Sequence, residues 1–179
     1  MTLTEIANQL GCDKGTLCAE RHGYTELYDT AIDPRSRLLE VGIDAGLSVA
    51  MWKQWSADIH LIAIDNRPAC ITTEVAAACD ARLCDQSNAA ELSELARSVG
   101  VLDVIIDDGS HDPDHQILTL ETLWVCLRNG GLYFIEDLHT SAWYPPIKNA
   151  SRRISQFAER HNATLRFECQ NKLAWLVKI

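Results

Sequence analysis

The chain has 179 residues, enough for one domain with a full hydrophobic core. Its 47% apolar and 23% charged residues are ordinary for a globular protein, and no apolar run approaches the roughly 18 residues of a membrane-spanning helix. Sixteen basic against 25 acidic residues give a formal net charge of −9, which argues against sequence-independent nucleic-acid binding, since that works by neutralising phosphates. A small substrate or a cation stays open.

The chain opens on "MTLTEIANQL", polar and acidic rather than a signal peptide. It predicts a short helix over about 3–10 and a loop up to 36. Strands are expected at "RLLEVG" (37–42), "IHLIAID" (59–65), "ARLCD" (81–85), "LDVIIDD" (102–108) and "GLYFIED" (131–137). Helical patterns lie between them at 47–55, 68–79, 88–98 and 114–128. A further helix at about 147–161 precedes "LRFEC" (165–169) and "LAWLVKI" (173–179), two more strands. The alternation is that of an α/β fold with helices on both faces of a mostly parallel sheet. Continuous apolar strands suit burial on both sides. The last two strands are joined only by "QNK", which predicts a C-terminal antiparallel hairpin and a seven-stranded sheet. There is no repeat, low-complexity tract or linker, so a single domain is expected. Seven cysteines without a Cys-x-x-Cys pair argue against a disulfide framework or zinc knuckle and suit a reducing cytoplasm.

Most of these strands end in acid: Glu40, Asp65, Asp85, Asp107 with Asp108, and Glu136 with Asp137. In open α/β sheets, ligands sit outside the carboxyl ends of the strands. The first such loop, "LLEVGIDAGLS", has Asp44 and Leu47 where a dinucleotide-binding G-x-G-x-x-G would need glycines. It fits E-x-G-x-x-x-G, the first motif of class I S-adenosylmethionine-dependent methyltransferases. On that reading Gly42 and Gly46 belong to the cofactor loop and Glu40 orients it near the methionyl end. An ordinary strand-to-helix turn is the alternative. Asp65 can accept both ribose hydroxyls, a use it would also serve with a nicotinamide cofactor, and Asn66 beside it joins the cofactor set. Asp85, Gln86 and Ser87 face the adenine position, although Ser87 or Asn88 also suits a helix cap.

"IIDDGSHDPDHQ" (105–116) runs from a buried strand into acid and imidazole. Parallel neighbours would bring Asp107, Asp108, Glu136 and Asp137 close together. Four carboxylates repel unless a cation sits among them or some protonate. Hard oxygen ligands suit Mg²⁺, with Mn²⁺ as the variant. Asp108, Glu136 and Asp137 are the expected ligands, and Asp107 is expected to face the cofactor's α-amino group. Asp112 as cap and Pro113 at the first turn leave His111 outside the following helix. His111 then serves as general base for a metal-bound hydroxyl. A zinc pair of His111 with His115 and a plain set of helix caps are the alternatives.

"AIDNRP", "CDQSN", "DVIIDDGSH", "RNGGLYFIEDLHTSAWY" and "LGCDKG…HGYTELYD" together resemble the metal-dependent sugar O-methyltransferases of macrolide tailoring, the mycinamicin and tylosin type. The resemblance covers most of residues 9–145. It implies a Rossmann-like class I methyltransferase fold over 1–179, with residues 1–36 forming an N-terminal helix and lid. It also implies S-adenosylmethionine and Mg²⁺ as cofactors, Asp108, Glu136 and Asp137 as metal ligands, and His111 as base. Lys14, His22 and Tyr24 would belong to a lid over the cofactor, and Trp143 and Tyr144 are candidates for the acceptor pocket. Ahead of the first strand this chain is shorter than those enzymes. The expected reaction is methyl transfer to a hydroxyl of a small molecule, such as a sugar or catechol whose vicinal oxygens chelate one cation. The expected setting is cytoplasmic, with no nucleic acid or membrane partner; a homo-oligomer is left open. The rival functions are a catalytically inactive methyltransferase-like binding module and an NAD-dependent oxidoreductase.

Overall fold

The computed structural model describes residues 1–17, 22–143 and 149–179. Strands β1 (Arg37–Val41), β2 (His60–Asp65), β3 (Asp80–Leu83), β4 (Leu102–Asp107), β5 (Leu127–Ile135), β6 (Thr164–Glu168) and β7 (Leu173–Val177) form one sheet in the order β3-β2-β1-β4-β5-β7-β6. The first five are parallel, and β7 runs antiparallel to both β5 and β6. Both the parallel sheet and the closing hairpin are as the sequence predicts.

Helices α1 (Leu3–Leu10), α2 (Tyr24–Ala31), α3 (Leu47–Trp55), α4 (Thr73–Ala78), α5 (Ala89–Val99), α6 (Pro113–Leu123) and α7 (Ala150–Arg160) cover the sheet. Alternation along each strand divides the core. In β1, Leu39 and Val41 join Leu92, Leu120 and Phe157 on the α5–α6–α7 face, whereas Leu38 joins Ile6, Tyr28 and Trp52 on the α1–α2–α3 face. Local chemistry sets the helix ends. Thr2 and Glu5 make a capping box on α1, Asn88 caps α5, and Asp112 with Pro113 opens α6. None of the described helices is long and apolar enough to cross a membrane.

Three expectations differ in detail. The helix expected over 68–79 is split into a short 3₁₀ turn at Pro68–Cys70 and α4, because the Thr72 side chain starts a new helix by accepting from the Val75 amide. The fifth strand begins at Leu127, four residues earlier than its apolar run, since the exposed Arg128, Asn129 and Gly130 continue the strand. Helix α2 was expected as loop. It starts at Gly23 in the left-handed region with no side-chain cap, so it carries no sequence signal for a helix start.

The sheet has its topological switch between β1 and β4, where the chain moves to opposite sides of β1. Pairing also continues past the strand ends. Gly42 N donates to Ile64 O, Asp108 N to Val41 O and Glu136 N to Asp107 O. The ladder therefore fixes the start of each rim loop.

Candidate active site

A cleft of about 440 Å³ opens at this switch. Its walls come from the ends of four neighbouring parallel strands and the loops behind them: Gly42 and Asp44 after β1, Asp65 and Asn66 at β2, Asp85, Gln86 and Ser87 after β3, and Asp108, Ser110 and His111 after β4, with Asp137 at the far end. Nine predicted site residues thus meet in one cavity. Three non-glycine residues around it, Asp44, His111 and Asp137, adopt positive φ of 45°, 58° and 56°. Such backbone persists only where the surroundings over-determine it, and it concentrates at functional sites.

At the β1–β2 end, Asp65 is a fixed anion. Its Oδ2 accepts from the amides of Ile43 (3.0 Å) and Asp44 (3.2 Å), and its Oδ1 from the amide (2.9 Å) and Nε (3.3 Å) of Arg67. Burial pushes the carboxyl up, but these donors outweigh it and hold the pKa at about 2. Arg67 also reaches Asp44 at 2.9 Å, bridging the mouth of the cleft over Asp65. The exposed Arg67 side chain is the one of these donors that does not belong to the main chain.

The glycines act within the chain. Gly42 has φ +100°, and a Cβ there would overlap the carbonyl oxygen of Asp108; Gly46 has φ +79°, and its Cβ would press on Val75. Gly46 does not line the cleft. Neither does Glu40, which is fully buried and accepts from Ser48 Oγ at 2.9 Å. Gln86 is a strut between loops, donating to Asp107 (2.6 Å) and accepting from the Ser110 amide (2.9 Å). Asp107, expected to meet the cofactor, is fully buried behind Gln86, and burial raises its pKa to about 7. Asp85 accepts from the amide and hydroxyl of Ser87, and Asn88, not Ser87, caps α5.

At the β4–β5 end a cation does sit among the acids, and it is Lys14. The lysine is 1% exposed. Its Nζ donates to Asp108 Oδ2 and to Glu136 Oε2 (2.8 Å), and lies 3.8 Å from Glu40 Oε1. Burial opposes its charge, but Asp108, Glu136 and Glu40 hold the ammonium pKa well above its ordinary value. Burial also raises Glu136, with Asp108 adding to it. The other Glu136 oxygen accepts from Tyr28 OH at 2.7 Å. Asp137 accepts from Tyr24 OH at 2.6 Å, and His22 Nδ1 and His111 Nε2 lie 3.7 and 3.8 Å from its oxygens. Lys14, His22 and Tyr24, expected over the cofactor, all converge on the acid cluster.

Among the described residues, Asp108, His111 and Asp137 bring donor atoms within 4.8 Å of one another. Two carboxylates and an imidazole suit a divalent ion, Mn²⁺ at least as well as Mg²⁺. Glu136 joins such a set only if Lys14 gives up its oxygen. His115 is outside the group; its Nδ1 pairs with Ser110 Oγ at 2.8 Å, so the structure does not assemble the zinc pair. Tyr28 had not been singled out from the sequence; its place one helical turn after Tyr24 was the available signal. Tyr144 lies outside the described residues, as does the side chain of Trp143.

No protein-family model matches the chain. Curated proteins do. The 8-demethyl-8-α-L-rhamnosyl tetracenomycin-C 2′-O-methyltransferase of Streptomyces olivaceus is 34% identical over 158 residues, 79% of this chain and 39% of that protein. The mycinamicin VI 2″-O-methyltransferase of Micromonospora griseorubida is 31% identical over 133 residues, 68% of this chain and 33% of its own. Over most of its length the chain is similar to these O-methyltransferases. It spans less than half the length of these two proteins. Among solved structures, the MycE methyltransferase of mycinamicin biosynthesis, in complex with Mg, S-adenosylhomocysteine and mycinamicin VI, superposes with a TM-score of 0.82 at 23% identity. That match covers 99% of this chain and 53% of MycE. The fold is that of the class I methyltransferases.

Proposed function

We propose that the chain is an O-methyltransferase domain that moves the methyl group of S-adenosylmethionine to a hydroxyl of a small molecule, with a divalent cation, Mg²⁺ or Mn²⁺, in the site. The observation that carries this reading is a single cleft. It joins Asp65, a carboxylate able to accept from ribose hydroxyls, to His111 and Asp137, whose polar atoms lie 3.8 Å apart. The names of the relatives support the reaction class, and the ligands in the MycE complex support the cofactor and the ion.

Asp65 orients the nucleoside, with Arg67 giving up its bond to a ribose hydroxyl, and Asn66, Asp85 and Ser87 line the same wall. Asp108 and Asp137 would hold the cation. When bound, the sulfonium supplies an electrophilic methyl and the cation supplies positive charge that anchors and acidifies the acceptor hydroxyl. His111 Nε2 would take the proton of the acceptor hydroxyl as that oxygen is methylated. Asp137 stabilises the imidazolium that results. A sugar or catechol-like acceptor fits best, because vicinal oxygens can share one cation.

The test is a screen of sugars and catechols for the mass gain of one methylene, with and without chelator and in His111→Ala. Turnover that survives both conditions removes the cation and the base. Failure to bind S-adenosylhomocysteine removes the methyltransferase reading itself.

A further inference from the structure

Lys14 stands where the proposed cation would have to come closest to Glu136. Its ammonium already does what the crowded carboxylates require, bridging Asp108 and Glu136 with Glu40 nearby. An ammonium and a divalent ion repel each other, and the low exposure of the site leaves little water to screen them. The lysine also has somewhere to go. A second cleft of about 240 Å³, lined by Cys12, Lys14, Gly42, Ser48 and Asp108, adjoins the acid cluster. The lysine's backbone stays tethered, since its carbonyl accepts from both the amide and the hydroxyl of Thr25 at 3.2 Å.

We propose that Lys14 is an internal stand-in for the divalent cation: ammonium and metal ion exchange at Asp108 and Glu136, the side chain withdrawing into the adjoining cleft as the ion enters. The identity of the ion rests on the function proposed above. In the exchanged state Glu136 becomes a ligand, held in place by the Tyr28 hydroxyl, and the neutralisation of the cluster passes from the chain to the solution. The rival arrangement keeps Lys14 where it is and places the ion on Asp108, His111 and Asp137 alone.

The two differ in metal affinity, with no need for turnover. Mn²⁺ is titrated by calorimetry into wild type, Lys14→Met, Lys14→Gln and Glu136→Gln at one pH. Exchange predicts that both neutral Lys14 variants bind Mn²⁺ about tenfold more tightly or better, because the ion no longer displaces a competitor. It also predicts that Glu136→Gln binds more weakly. The metal-free Lys14 variants should melt lower than wild type, and saturating Mn²⁺ should raise their melting temperature by more than it raises that of wild type. Equal or weaker Mn²⁺ binding by the Lys14 variants overturns the proposal, as does unchanged affinity in Glu136→Gln. If Lys14→Met does not fold, Lys14→Gln, which keeps a donor for the carboxylates, decides. S-adenosylhomocysteine is titrated in parallel. Its failure to bind would sink the methyltransferase reading and leave the exchange to stand or fall on Mn²⁺.

Discussion

The two ends of the cleft solve the same electrostatic problem in opposite ways. At the β1–β2 end one carboxylate, Asp65, is surrounded by donors of the main chain and stays ionised with a pKa of about 2. At the β4–β5 end burial raises Asp108 and Glu136, and Lys14 acts against it. Backbone amides are part of the fold and cannot leave, so Asp65 is a permanent anion suited to positioning a ligand. A counter-charge on a side chain can be exchanged, so the far end is suited to taking up a cation. The same residue type thus marks a fixed contact in one place and an adjustable one in the other.

The largest way to break this contrast is at the adjustable end. His111→Ala removes the proposed base while leaving Asp65 untouched. It should lower methyl transfer by about 10²–10⁴-fold, with S-adenosylhomocysteine affinity unchanged in calorimetry. A large loss of affinity would instead place His111 in the cofactor site.

The next effect is at the seam between the ends. Gly42 has no room for a Cβ against the Asp108 carbonyl oxygen, and its φ is one that L side chains rarely adopt. The neighbour is backbone held by the Val41–Asp108 bond and cannot swing away. Gly42→Ala should therefore cost about 2–5 kcal/mol in urea unfolding. A cost below 1 kcal/mol, on the order of an ordinary surface change, would show that the two loops move independently.

At the fixed end, Asp65→Asn replaces a carboxylate that accepts from three backbone amides with one weaker acceptor and puts its amide N–H against the donors on the other side. Hydrogen bonds to a charged group contribute about 1.5–3 kcal/mol. The variant should unfold at lower urea by about that amount and bind S-adenosylhomocysteine about tenfold more weakly. Unaltered affinity would mean that the carboxylate serves the loop and not the ligand.

How far the sequence foretold this contrast depends on the range of the interaction. The strand ends were legible because apolar runs stop at Glu40, Asp65, Asp107 and Ile135, and parallel order alone brings them to one rim. The α6 start was legible because Asp112-Pro113 is local chemistry. Lys14 was expected in a lid over the cofactor, and its contacts with the acids could not be read. Its partners Asp108 and Glu136 lie 94 and 122 residues away, and no periodicity encodes a contact of that span. Helix α2 was missed for want of a cap, and with it the reach of Tyr28 to Glu136. The demand for a cation among the acids was a matter of charge and could be read; that the chain carries one itself was a matter of packing and could not.

The smallest effect concerns Glu40, the acid on the margin of the Lys14 cluster. Burial raises its pKa from 4.5 to about 7, against the pull of Lys14 and the bond from Ser48. The folded chain therefore keeps a proton on Glu40 that the unfolded chain releases above pH 4.5. The stability this contributes is complete below 4.5 and is lost as the pH rises through 7. Glu40→Gln keeps an acceptor for Ser48 and never ionises. It should leave stability unchanged near pH 4 and raise it by about 1–2 kcal/mol at pH 8, less than the full interval because relaxation and water entry soften burial. The measurement is urea unfolding of both proteins across that range. A Gln variant that is less stable than wild type at pH 8 would mean that the ionised Glu40 carboxylate is favoured in the folded chain, with the attraction of Lys14 outweighing burial. The ammonium would then be held more firmly than its two short contacts imply, and the adjustable end of the cleft would be closer in kind to the fixed one.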